Sequence, residues 1–593
     1  MKNGNQVSKH STTVLAYTSL VAAVTFMVWA LFQGPPEKVS VAPDTGTVSA
    51  STEERPADSI HFLASTNCAL CHSSSDNANA MRDAKQRPVA PYDLWQASMM
   101  ANSARDPFWR AVLSAEVLAT PSKKALIEEK CTRCHAPMAA PAPESPPGQV
   151  LAHLKQADQR SHLGLDGVSC TVCHQITDKG LGTAESFTGR FEINRESKIF
   201  GPHADPFTMP MQRFVGYTPT HSPHILKSGL CATCHTVITT SVDAAGVPSA
   251  GEFHEQSPYL EWRNSVFNDE IKKPDPQARS CQACHMPTTD VDGNPIATRL
   301  AHNPGGRDFP FLAPRTPFGR HTFPGANTLM KQILRDNAEE LGVTAPAGAF
   351  DESIEQTRQF LQTETATIAL LQTAMDQNEL SLNVVVNNLA GHKLPTAYPS
   401  RRVWVMLTVK DAAGNLVFAS GQYNPRGELI DTAGKVLASE LAGGPVSPHL
   451  DIINQPDQVQ VYETVMSDAD GNPTFTLLRG ASYVKDNRLL PRGWDSGHAD
   501  GTSTRPFGID GDGNFVGGSD TINYRISLPE PGEYVVSAKL LFQVIAPRHA
   551  NELFRWQTTE VSVFREMFDR ADRNPQELAS ASIQVVAAGV GRD

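Results

Sequence analysis

Every cysteine of this 593-residue chain lies in one of five C-x-x-C pairs, and each pair is followed at once by histidine. The pairs are Cys68/Cys71, Cys131/Cys134, Cys170/Cys173, Cys231/Cys234 and Cys281/Cys284, and the histidines are His72, His135, His174, His235 and His285. Composition alone gives about 0.005 chance matches to C-x-x-C-H in a chain like this. Five disulfides would also consume ten cysteines, but they require no fixed spacing and no histidine. Two thiols three residues apart lie on one face of a helical turn, where both can bond one haem, and the next histidine is placed to bind its iron. The pattern implies five covalently bound haem c groups, each iron taking one of these histidines as its proximal ligand.

The occupant of each iron's sixth position decides the chemistry: two protein ligands make an electron carrier, an open position a candidate catalyst. Of 19 histidines, five are proximal and His10 precedes the apolar N-terminal run, so 13 remain as candidate distal ligands. A surface position is the ordinary fate of a histidine. The candidates that stand out are His221 and His224 in HSPHILKSGLCATCH, His321 in GRHTFPGAN, His392 in AGHKLPTAYP and His203 in FGPHADP. His61, His153, His162, His254 and His302 are weaker, and His449, His498 and His549 read as structural or surface groups. Methionine is the other common distal ligand, and Met99 and Met100 in LWQASMMANSARDPFW are the candidates, against the usual role of methionine as a core filler.

Val14 to Phe32 is an uncharged, apolar run preceded by Lys2 and Lys9, long enough to cross a bilayer. It lacks a good small-x-small site, so an uncleaved signal-anchor is expected over a cleaved signal peptide. The expected layout is a cytoplasmic stub (1–12), a transmembrane signal-anchor (13–32) and a flexible linker (33–58). A pentahaem domain (59–325), a helical segment (326–378) and a β-rich C-terminal domain (379–593) follow. The expected location is the bacterial inner membrane, with the bulk of the chain in the periplasm.

Between the motifs apolar periodicity is weak, as expected where haem supplies much of the core. Helices are expected over Tyr92 to Leu118, broken near Pro107, and over Tyr259 to Phe267, with helical structure ahead of Cys131. Asn327 to Leu341 and Asp351 to Asp376 also read as helices, the second with Asp351 or Ser353 as N-cap and Ile354, Phe360, Leu361, Ile368 and Leu371 as its apolar stripe. From about 380 the pattern turns to period two: Ser381 to Asn387, Arg402 to Asp411, Leu416 to Gln422, Thr521 to Leu528 and Glu533 to Val544 read as strands. The fold class is thus mixed: a mainly α and irregular multihaem domain, a helical segment and a β-sandwich-like C-terminal domain.

Residues 61 to about 400 resemble the multihaem cytochrome family related to cytochrome c554. The resemblance rests on the C-x-x-C-H sites, LWQASM, GVSCTVCH, SGLCATCH, EQSPYLEW before SCQACHMP, RHTFPGAN and GHKLPTAYPSRRVW. KDNRLLPRGWD also resembles the C-terminal region of such proteins. The family commonly supplies a distal histidine from W-x-x-S-x-H. Here Met99 is read at the matching place, which implies His/Met ligation for one haem. The resemblance further implies closely packed haem pairs and electron transfer.

The net charge of -12 argues against nucleic acid as a partner. No P-loop, dinucleotide fingerprint, HExxH or GxSxG is present. Asp510, Asp512 and Asn514 resemble part of a calcium loop that then fails at Phe515. The expected role is a carrier of single electrons rather than a catalyst. Its partners would be other redox proteins or quinone-linked membrane complexes. The alternative is a multihaem reductase acting on a small nitrogen compound at an open haem.

Overall fold

In the computed structural model of the protein, Met1 and residues 62–139 and 159–587 are described. The expected stub, signal-anchor and linker, and the candidates His61 and His153, lie outside these residues. Among the described residues no helix is long and apolar enough to cross a membrane.

The first part of the chain is built from short helices: α1 (Ser65–His72), α2 (Pro107–Ala119), α3 (Lys124–His135), α4 (Cys170–Cys173), α5 (Ser228–His235), α6 (Pro258–Arg263) and α7 (Cys281–His285). Five of them carry the cysteine pairs, and each ends at or one residue before the motif histidine. The longer α2 begins where Pro107 interrupts the run: Pro107 occupies the first turn, where no N–H is needed, and Asp106 accepts from the amides of Phe108 (2.8 Å) and Trp109 (3.4 Å).

Two further helices, α8 (Thr328–Asp336) and α9 (Ala347–Glu364), lead into the sheets. The expected helix over Asp351 to Asp376 is corrected here. The helix starts at Ala347, after Pro346, with no side-chain cap, and it ends at Glu364. Ser353 lies inside it, its hydroxyl accepting from Lys331 Nζ at 2.8 Å. From Ala366 the chain is a strand, because Ala366, Ile368 and Leu370 alternate inward while Leu371 is 54% exposed.

The main strands of the two large sheets are β1 (Ala366–Asp376), β2 (Glu379–Asn388), β3 (Arg402–Asp411), β4 (Leu416–Ser420), β5 (Val461–Ser467), β6 (Ser482–Asp486), β7 (Ser519–Ser527), β8 (Gly532–Gln543) and β9 (Gln576–Ala587). One sheet runs β1-β2-β7, closed by Ile452–Ile453. The other runs β5-β3-β8-β9, with β4 on β3 and β6 on β5. Their alternating residues meet in one core: Leu382, Val384 and Val386 of β2 and Ile522 and Tyr524 of β7 join Val405 and Leu407 of β3 and Val536 and Leu540 of β8.

That core also takes in the haem-motif region. Phe108, Val112 and Ala115 of α2 belong to it, and Phe108 packs on Phe564 of the C-terminal helix α10 (Thr559–Arg570), ring centres 5.2 Å apart. The motif-bearing chain and the sheets therefore share buried apolar surface. Residues 62–139 and 159–587 belong to one compact unit.

Candidate functional site

None of the ten cysteines forms a disulfide. Sulfur atoms of different motifs adjoin one another. Cys68 neighbours Cys170, Cys134 neighbours Cys234, and Cys231 neighbours Cys281, while Cys173 stands near both Cys231 and Cys234. The motif histidines follow the same neighbour relations: His72 senses His174, and both His135 and His285 sense His235. The first motif thus meets the third, the third meets the fourth, and the fourth also meets the second and the fifth.

Two motif histidines face a second imidazole. His174 stands 6.3 Å from His321, ring planes 20° apart, and His285 stands 6.5 Å from His392, planes 10° apart. An iron bonded at about 2 Å to a nitrogen on each side, with each nitrogen about 1 Å from its ring centre, sets two such rings about 6 Å apart. The Nδ1 atoms are all turned to carbonyls: His174 to Phe200 (2.6 Å), His321 to Gly319 (3.0 Å), His285 to Pro324 (2.6 Å) and His392 to Lys393 (3.0 Å). A carbonyl accepts a hydrogen bond from Nδ1–H, which keeps the proton there and leaves Nε2 with its lone pair, the tautomer a metal requires. Burial acts in the same sense: it lowers the pKa of all four rings, His285 to about 4 and His321 to about 3, so they are neutral at pH 7. The donor set, its spacing and its protonation fit a haem iron held between each pair.

The other three proximal histidines have different surroundings. His72 turns Nδ1 to Leu300 O at 2.9 Å. His135 lies parallel to Trp109, ring centres 4.8 Å apart and planes 7° apart, and its buried Nδ1 has no partner. The His235 pKa is lowered, by lost hydration first and by the Arg401 guanidinium second. Among the described residues none of these three faces an imidazole at the 6 Å spacing.

The remaining candidates are placed as follows. His224 is buried with both nitrogens engaged, Nδ1 with Ser222 Oγ (2.6 Å) and Nε2 with Ile176 O (2.8 Å). His221 is exposed at the end of the Thr218–His221 strand, and His203 is half-buried near Arg315. Met99 packs on the large apolar core. Counted from Trp95, W-x-x-S-x-H lands on Met100 and not on Met99, so Met100 is the residue at the family's histidine position. His302, rated weak from sequence, is buried against the first motif: its amide donates to Cys71 O at 3.1 Å, Nδ1 faces Asn303 O at 2.7 Å, and Nε2 is buried without a partner. No periodicity marks it, since it sits in an irregular turn.

Asp512 of the calcium-like turn meets His449 Nε2 at 2.8 Å, and Asp520 completes a cluster with them. Gln460 and Asn487 amides donate to His449 Nδ1, so its Nε2–H donates to Asp512, and the cluster is satisfied by its own hydrogen bonds.

Glu116 gives the region a pH response. It is 3% exposed, accepts from the amides of Leu477 and Leu478, and burial raises it to about 7, with Glu255 adding to the effect. The folded state keeps a proton that the unfolded chain releases near pH 4.5, so this contribution is full below that pH and is lost as pH rises through about 7. Glu116→Gln is expected to flatten the decline in stability between pH 5 and 8 by up to roughly 3 kcal/mol. Denaturant melts across that range measure it, and parallel curves for both proteins would refute it.

Residues 67–175 match the sequence profile of the family described as cytochrome c554 and c-prime. No curated protein matches the chain. A solved structure, a penta-heme cytochrome c552 from Thermochromatium tepidum, aligns with 90% of this chain and 100% of its own at 15% identity and a TM-score of 0.46.

Proposed function

Since the chain is a multihaem c-type cytochrome related to cytochrome c554, we propose that it carries five haem c groups and passes single electrons between redox partners. The observation that carries this reading is the pair of facing imidazoles, His174 with His321 and His285 with His392. Each haem, when bound, supplies reversible one-electron chemistry. At the third and fifth motifs the residues that would hold the iron are two neutral imidazoles each, His174 with His321 and His285 with His392, which would leave no position for a substrate there. Shared sulfur contacts between motifs support short steps from one site to the next.

The apolar run Val14 to Phe32 supports an inner-membrane anchor with the remainder in the periplasm, where c-type haem is attached. The acidic net charge of -12 favours a basic face on a soluble partner, while an anchored carrier could equally exchange electrons with a quinone-linked complex. Pyridine haemochrome assay of the purified protein tests the count, with five haems per chain expected. Removing both cysteines of any one motif should lower it by one. A predominantly high-spin oxidised spectrum would turn the reading toward catalysis at open irons.

A further inference from the structure

A cavity of about 380 Å³ opens between the end of β8, the Pro547–Leu553 helix, α10 and the turn into β9, and no residue of the cysteine motifs lines it. Its size suits a small molecule, roughly 300–1,000 Å³ being usual for such sites. Phe542, Val544 and Ile545 give it a buried apolar lining. Two further phenylalanines carry guanidiniums on their faces: Arg573 Cζ lies 5.0 Å from the Phe568 ring centre, and Arg565 Cζ lies 5.3 Å from that of Phe554. Stacking fixes the plane of each fork and leaves its N–H edges to bond. Neither fork hydrogen-bonds another described residue. The nearest carboxylate, Asp569, stands 3.7 Å from Arg573 and 3.8 Å from Arg565, beyond hydrogen-bond reach, and itself accepts no hydrogen bond from a described residue. The Arg573 side chain is nevertheless only 16% exposed. The other charges of the lining are engaged: Arg426 bonds Glu428 at 2.9 Å, and Asp572 accepts from the Asn574 amide at 3.0 Å.

Two uncommitted guanidiniums and one uncommitted carboxylate, beside buried apolar side chains, match a zwitterion with an apolar body. We propose that this cavity binds a free apolar α-amino acid. The carboxylate of the ligand bridges Arg565 and Arg573, its ammonium donates to Asp569, and its side chain packs on Phe542, Val544 and Ile545. A simple anion would meet the Asp569 charge and a simple cation the two guanidiniums, so a ligand with only one charge is disfavoured. The site is independent of the haems, and its failure would leave the electron-transfer reading standing.

Isothermal titration calorimetry of the holoprotein with L-leucine tests this, against isocaproate, which lacks the ammonium, and isoamylamine, which lacks the carboxylate. Leucine is expected to bind, and each analogue to bind about tenfold more weakly or worse, the loss of one charge-assisted contact. Arg573→Gln and Asp569→Asn should each weaken leucine by a similar factor, with haem content and optical spectra unchanged. The Asp569 side chain is 53% exposed, so Asp569→Asn carries the test should Arg573→Gln fail to fold. Absence of leucine binding at millimolar concentration, an analogue that binds as tightly as leucine, or folded variants that bind leucine like the unmodified protein would each overturn the proposal.

Discussion

Asp486→Ala is expected to destabilise the folded protein by roughly 3–5 kcal/mol, the cost of leaving buried charges without their partner. Asp486 is about 1% exposed, and it binds Lys393 Nζ at 2.7 Å and Arg488 at 2.7 and 2.8 Å. Burial by itself would raise this carboxyl. Arg488 and Lys393 outweigh burial and hold it below the usual carboxylate range. Its stabilising contribution is therefore present above about pH 4 and is lost as pH falls further. Glu261 of α6 extends the cluster, pairing with Arg488 at 3.2 Å and accepting from the Lys393 amide at 3.0 Å and from Thr396 Oγ1 at 2.5 Å. The loop that carries His392 is held at both Lys393 and Thr396. Loss of Asp486 should consequently loosen His392 opposite His285, and EPR would register this alongside the melt. A loss of less than 1 kcal/mol in a denaturant melt would show that the cluster is worth no more than surface pairs.

His321→Ala is expected to change the oxidised spectrum of one haem from low-spin to high-spin. The substitution leaves His174 as the sole imidazole at the third motif, because the ring at 6.3 Å is the one that faces it. His224→Ala is the matched control. His224 is buried but spends both nitrogens on Ser222 and Ile176, so its loss should cost about 1–3 kcal/mol of stability and leave the haem spectra unchanged. Reversal of the two phenotypes would reassign the distal position to His224.

What was legible in the sequence was what the chemistry makes local. Covalent haem attachment fixes two thiols and a histidine within five residues, so the motifs and their helical turns can be read directly. Strands β2, β3 and β8 were legible because large aliphatic residues alternate with polar ones. Strand β9 was not, because Ala579, Ser580, Ala581 and Ser582 offer almost no contrast between faces. Strand β1 was read as helix because Ile354, Phe360, Leu361, Ile368 and Leu371 keep helical spacing across the real boundary at Glu364. Long-range pairing leaves no local trace at all. GHKLPTAYP, KDNRLLPRGWD and EQSPYLEW are each recognisable as family-like segments. That Lys393, Asp486 and Glu261 bring the three together is visible only in the fold. The distal positions are of the same kind: His321 lies 147 residues from His174, and only chain packing brings them opposite each other.

The neighbour relations among the motifs have a shape. Four junctions join five sites without closing a ring: first with third, third with fourth, second with fourth, and fourth with fifth. That is a branching tree with one crossroads and three dead ends. A linear wire has two terminals and can only relay, whereas three terminals allow two sources to feed one sink or one source to serve two. Every route between terminals crosses the fourth site. Disabling a terminal would prune one branch and leave traffic between the other two intact, whereas disabling the crossroads would isolate all three at once.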